Sequence, residues 1–267
     1  MNLVRGAFRI FGLVPVSLLA ACGPILSTTP TPVPRPSLWQ GAVPIGDLLA
    51  HPDAYLGRVV VVVAYYRGWD LFGEVGAGPP LTRSDVAVAD ASGAIYIAPA
   101  GPESLARMPP VLPFKPEFTE TLLRLRGRLE RNEQGMLYLR VLDGEEVQGL
   151  PTGVVLRVRR TGGIAGFDEE LMATESGTLY FLDRRARRHG RTFGDPNEIL
   201  GVARRLPSLS EPTYGTPVPD GFAYEVRFWE GDKVRGLTIY DPSGDGLPEA
   251  AGEILEAIRR WLSMAAR

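Results

Sequence analysis

Apolar and polar positions along the chain fall into two β-rich stretches that differ in rhythm. In the first, RVVVVVAYYRG (58–68) is β-branched and aromatic, too short and too bulky for a helix. DVAVAD (85–90) and AIYIA (94–98) flank Ser92-Gly93, a hairpin signal. ETLLRLRGRLER (120–131) alternates, with Leu123, Leu125 and Leu129 on one face and Arg124, Arg126 and Arg128 on the other. MLYLRVL (136–142) repeats the pattern, Leu137, Leu139 and Val141 inward and Tyr138 and Arg140 outward. Ahead of these strands, PIGDLLAHPDAYLG (44–57) predicts a short helix stopped by Pro52 and a turn at Gly57. Five strands, with a Pro-rich excursion (99–116) between the third and fourth, predict a small Greek-key barrel over 39–150.

Pro151 and Gly153 mark a boundary, and a second pattern occupies 151–267. Strands are expected at 154–160, 167–175 and 177–183. DPNEILGVARRL (195–206) opens a helix with Asp195 as cap, Pro196 in the first helical position and Glu198 completing a capping box. FAYEVRFWE (222–230) alternates and turns at Glu230-Gly231-Asp232 into KVRGLTIYD (233–241). A last helix, 248–263, places Ala251, Ile254, Leu255, Ile258, Trp261 and Leu262 on one stripe. The fold class is therefore two domains, an all-β barrel followed by an α+β domain in which helices cover an antiparallel sheet. The opening IGDLLAHPDAYLGRVVVV is similar to bacterial OB-fold domains that begin with a helix, a Tyr-x-Gly turn and a strand, so the barrel is expected to be OB-like.

The N-terminus changes the picture of where this body sits. IFGLVPVSLLAA follows Arg5 and Arg9, is too short to span a bilayer, and ends in Leu19-Ala20-Ala21-Cys22. That pattern resembles a bacterial lipobox, and Cys22 is the single cysteine among 267 residues. The resemblance implies a signal peptide over 1–21, a mature chain that starts at an acylated Cys22, and a protein exported and held to a membrane by lipid. With no second cysteine, no intrachain disulfide can form and stability must come from packing. STTPTPVPRPS (27–37) lies within a Pro-rich linker over 22–38, expected to be extended. Removing 1–21 leaves 27 basic against 31 acidic residues, a balance that argues against a nucleic-acid-coating protein.

Candidate chemistry centres on VVLRVRRTGGIAGFDEELMA (154–173), where Gly162, Gly163 and Gly166 interrupt the alternation. A phosphate cradle would need a helix after the glycines, whereas FDEELMA is acidic and strand-like. A glycine bulge or a tight link between strands, where positive φ is required, remains open. So does a docking loop: VRRTGGIAGFDEEL, then DGFAYEVRFWEG and LPEAAGEILEAIRRWL, follow in order the pattern of emfourin-type domains, small inhibitors of the thermolysin-like metalloprotease protealysin. That resemblance implies a partner-binding loop of Gly162, Gly163, Ile164, Ala165 and Gly166, and a secreted metalloprotease as partner.

Elsewhere the chemistry is sparse. His51 and His189 are far apart, and no catalytic triad, thiol nucleophile or zinc set can be assembled, so no enzyme, metal or cofactor is expected. Asp168-Glu169-Glu170 reads as a solvated strand end or turn, and RRARRHGR (184–191) as a solvated loop, with an anionic contact as its alternative. DPSGDG (241–246) copies part of a calcium loop but lacks Glu at the twelfth position, so a turn is expected. Arg124, Arg126, Arg128, Tyr138 and Arg140 offer a second binding face, for an oligonucleotide or an anionic polysaccharide. The expectation is a surface lipoprotein that binds a partner, with that face or a purely architectural envelope role as alternatives; oligomeric state is open.

Overall fold

The β-branched run after Gly57 forms β1 (Val59–Tyr66), the first strand of the computed structural model, which describes residues 36–109, 114–242 and 246–267. Cys22, the segment 1–21 and most of the Pro-rich linker lie outside the described residues. With β2 (Val86–Ala89), β3 (Ala94–Pro99), β4 (Leu122–Arg131) and β5 (Leu137–Glu146), β1 closes a five-stranded barrel in the order β1-β2-β3-β5-β4. Its pairings are antiparallel except for β3 with β5, and the architecture is OB-like. Leu123, Leu125, Leu129, Leu139 and Val141 all point into the barrel core, as their alternation required.

One end of the barrel is closed by α1 (Ile45–Ala50), whose Ile45 and Leu48 are fully buried. The Asp90 carboxylate fastens it there, accepting from Ile45 N at 2.8 Å and from Ser92 N and Gly93 N at 2.7 and 2.9 Å. Pro52 does not simply stop the helix. It starts a second one, α2 (Pro52–Tyr55), because the first helical position loses nothing by lacking an N–H. The Pro-rich excursion contributes α3 (Pro102–Ala106).

The second stretch builds a seven-stranded sheet from β6 (Val154–Gly162), β7 (Phe167–Thr174), β8 (Thr178–Asp183), β9 (Arg188–Phe193), β10 (Thr213–Tyr214), β11 (Phe222–Glu230) and β12 (Lys233–Asp241). Their order is β10-β12-β11-β6-β7-β8-β9. The sheet is mixed and not wholly antiparallel, since β10 runs parallel to β12. Helical cover is limited to α4 (Pro196–Arg205), capped by Asp195 accepting from Asn197 N at 2.9 Å, and α5 (Glu249–Ala265). Ile199 and Val202 of α4, with Ile254, Ile258 and Trp261 of α5, share a core with Leu156, Val158, Leu171 and Val226.

Among the described residues no helix covers the opposite face. There the barrel itself does, as Val63, Tyr65, Phe72 and Leu122 pack with Val154, Met172, Tyr180 and Leu182. Pro34–Arg267 is accordingly one compact unit. The segment entering it is pinned as well: Ser37 N donates to Asp232 Oδ1 at 2.6 Å, Trp39 Nε1 donates to Leu150 O at 3.0 Å, and Trp39 meets Trp229 edge to face at 5.5 Å.

The strand β9 was not foreseen, because RRARRHGR is too polar to read as sheet. Its side chains find partners on the barrel that sequence cannot show. His189 Nε2 lies 3.0 Å from Gly73 O, and Arg191 donates to Ala91 O at 3.0 Å while stacking over Tyr180. Among the described residues no helix is long and apolar enough to cross a membrane.

Candidate functional site

The three glycines sit where β6 turns into β7. Gly162 pairs with Phe167, and Gly163 to Gly166 make a four-residue turn closed by Gly166 N donating to Gly163 O at 2.9 Å. All three glycines have positive φ, 106°, 70° and 62°. At two of them glycine is also demanded by contact. A Cβ on Gly162 would stand 2.4 Å from Gly221 O, and one on Gly163 would stand 2.7 Å from the Phe222 ring. Gly163 N donates to Gly221 O at 2.9 Å, so the turn is welded to the start of β11.

What the turn presents is Ile164, 89% exposed, with Ala165 beside it. Single exposed apolar side chains are ordinary on a surface; here Ile164 stands on the same turn as Phe167, 38% exposed, so the tip presents more than one apolar group. Beneath it, Phe167 and Phe222 meet edge to face at 5.8 Å, and the Arg160 guanidinium lies over both rings at 5.2 and 5.1 Å. Arg160 Nε also donates to Glu169 Oε2 at 2.7 Å. From the β8–β9 turn, Arg185 donates to Ala165 O and, at 2.6 Å, to Gly166 O, satisfying two carbonyls that the tight turn leaves free.

The tip stands on a network of charge that sequence reasoning misplaced. Asp168, Glu169 and Glu170 are not a solvated turn: Glu169 and Glu170 are buried, and Asp168 accepts from Arg159 Nε at 2.8 Å. Glu170 has no exposed surface and accepts from Arg157 at 3.0 Å, from Arg67 at 3.3 Å and from Arg184. Arg67, equally buried and contributed by the end of the barrel strand, stands 2.9 Å from Glu74 and donates to Thr119 O at 2.9 Å. Tyr180 donates to Glu74, and Glu120 accepts from Arg159 at 2.6 Å. Tyr65 lies under Arg157 at 4.9 Å and Arg67 at 5.4 Å.

Burial alone would raise the Glu170 carboxyl, yet Arg157, Arg184 and Arg67 together hold it well below the ordinary carboxylate range. Burial likewise disfavours a charged Arg67, but Glu74 and Glu170 push its guanidinium above its ordinary value. Desolvation and Glu74 raise the Tyr180 phenol well above its usual range. Each arginine answers a carboxylate, and a cross-strand reading of Arg159 opposite Glu170 and Arg160 opposite Glu169 was the signal available in the sequence. A cleft of about 560 Å³ opens over this network, lined by Phe72, Glu120, Arg159, Asp168, Arg184 and Arg187.

The structure brings Arg124, Arg126, Arg128, Tyr138 and Arg140 to one face of the β4–β5 pair and gives each a partner there. Arg126 donates to Asp143 at 3.0 Å and holds that carboxyl below its ordinary range; Arg124 stands 3.9 Å from Glu145, and Arg128 donates to Gly57 O at 2.7 Å. Arg140 and Tyr138 both donate to Glu130 Oε2, at 2.7 and 2.6 Å. Tyr138 points to the expected side, but that side is covered. It is 3% exposed, packed with Ala87, Tyr96 and Ala98 under Val75, and the loop is held by Tyr96 donating to Ala77 O at 2.8 Å.

Of the calcium-like stretch, Asp241 is engaged by Arg259, and Ser243 and Asp245 lie outside the described residues. Among the described residues, no group of three or more His, Cys, Asp or Glu is placed to hold a metal. Fold and site together define an OB-like barrel joined to a mixed sheet through buried ion pairs, with a hydrogen-bonded glycine turn between β6 and β7. No protein-family model and no curated protein matches the chain. Neither comparison supports the lipobox or the emfourin resemblance.

Proposed function

We propose that this protein is an exported lipoprotein, anchored through acylated Cys22, that recognises a partner protein through the hairpin tip Gly162–Gly166 and does not itself catalyse a reaction. The observation that carries the reading is Ile164, an almost fully exposed aliphatic side chain on a backbone fixed by three positive-φ glycines, the Gly221 contact and the Arg185 latch. A loop ordered before it binds loses little entropy on docking, which is how small rigid loops gain affinity for clefts. The partner we propose is a secreted thermolysin-like metalloprotease, whose cleft would receive Ile164; the emfourin-like order of motifs over 154–263 supports that choice, and the sheet with its two helices on one face is compatible with it.

The test is inhibition of thermolysin by the compact unit Pro34–Arg267 and by its Ile164→Asp variant. The wild-type protein should inhibit, and the variant should inhibit at least about tenfold less, a loss of roughly 1.4 kcal/mol, with unchanged thermal stability. No inhibition and no complex with the wild-type protein would refute the assignment. Mass spectrometry of the envelope fraction checks the anchor separately: a mature chain beginning at a diacylglyceryl cysteine is expected.

A further inference from the structure

A cleft of about 760 Å³ opens at the end of the barrel opposite α1, where β1 ends, β2 begins and β3 ends. Its walls are mainly apolar, built by Leu81, Val86, Ile97, Pro99 and Met108. Volume and lining are those of a small-molecule site. Two further observations say what it would hold.

First, Tyr66 lines this cleft while 1% exposed, and its hydroxyl makes no hydrogen bond to any described residue. Burial alone pushes that phenol up to about 12, so it stays a neutral donor and acceptor. The hydroxyl is not among the atoms sealed in the core without a partner, and Tyr66 lines the cleft, so the cleft is where it can find one.

Second, the charged groups at the rim give an anion no support: Arg140 is already paired, and Asp85 keeps its negative charge. Asp85 accepts from Leu81 N at 2.8 Å, Thr82 N at 2.9 Å and Thr82 Oγ1 at 2.8 Å. Arg140 is held by Glu130. An anionic ligand would lose its hydration beside the Asp85 carboxylate without finding a free counter-ion.

We propose that this cleft binds an uncharged, largely apolar small molecule carrying one hydrogen-bonding oxygen, which the Tyr66 hydroxyl receives. None of its lining residues belongs to the hairpin tip, so the site is independent of the protease reading.

The probe is prodan, a neutral naphthyl ketone whose emission shifts to the blue in apolar surroundings, titrated into the full chain. Saturable, blue-shifted binding is expected. Tyr66→Phe should weaken it about fivefold, the worth of one neutral hydrogen bond. The variant should unfold at the same temperature or higher, since the lost hydroxyl has no partner in the fold. Ala106→Trp, at an exposed position on the rim, should abolish binding by filling the cleft, and Ile164→Asp should leave it unchanged. Absence of saturable binding overturns the proposal, as does binding that neither Tyr66→Phe nor Ala106→Trp alters. Tighter binding of the sulfonate probe 1-anilinonaphthalene-8-sulfonate than of prodan overturns the neutral-ligand assignment.

Discussion

Glu170 carries its charge with no exposed surface and three guanidinium groups around it, from Arg67, Arg157 and Arg184. Such an arrangement is tolerable only while it is complete, because removing one member strands the others without water. Glu170→Gln keeps the shape and removes the charge, and should cost about 3–5 kcal/mol in urea unfolding near neutral pH. The pH dependence follows from the same group. Its folded pKa is depressed, so its contribution is fully present above the unfolded value of about 4.3 and fades as the pH falls toward the folded value. The stability gap between wild type and Glu170→Gln should therefore shrink in acid; a gap that widens there would refute this account. Little of this was legible in the sequence. Three consecutive acids look like a solvated turn until the arginines that face them are known, and Arg67 lies 103 positions away from Glu170.

Elements were legible where local rules sufficed. β4 and β5 showed themselves by alternation, β1 by its β-branched run, β2 and β3 by the hairpin signal between them, and α4 by its Asp195 cap, while α5 was readable from a single apolar stripe. β10 is two residues long, too short for any period, and β9 is stabilised by barrel carbonyls that a local reading never meets. The β6–β7 turn lies between these cases. Its glycines announced positive φ, but only the register with β11 shows that they are not equivalent. At Gly162 an added Cβ meets backbone, Gly221 O at 2.4 Å, whereas at Gly166 it meets the movable end of Arg185 at 2.7 Å. Both substitutions strain φ, so each should cost about 1–3 kcal/mol, and Gly162→Ala should cost clearly more than Gly166→Ala. Equal thermal-unfolding penalties would show that the clash with β11 is relieved by a shift of the strand.

The whole molecule departs furthest from a reading as two independent domains. β5 ends at Glu146 and β6 begins at Val154, yet apolar residues of barrel and sheet form a shared core, and Arg67 faces Glu170 across it. Patterning hid this because the docked faces carry arginines, carboxylates and tyrosines, which a sequence reading assigns to solvent. Calorimetry of the unit Pro34–Arg267 should give a single transition whose van't Hoff and calorimetric enthalpies agree. Two resolved transitions would mean that the shared core does not couple the halves.

The clasp between Ser37 and Asp232 fixes something else. Asp232 lies two residues past the end of β11, while Phe222 at the strand's beginning pairs with Gly162. Nine extended residues, roughly 30 Å at about 3.3 Å each, thus separate the chain's point of entry from the glycine turn. The Ser37–Asp232 clasp and the turn that carries Ile164 are kept apart by a stiff strand, one near each end of β11.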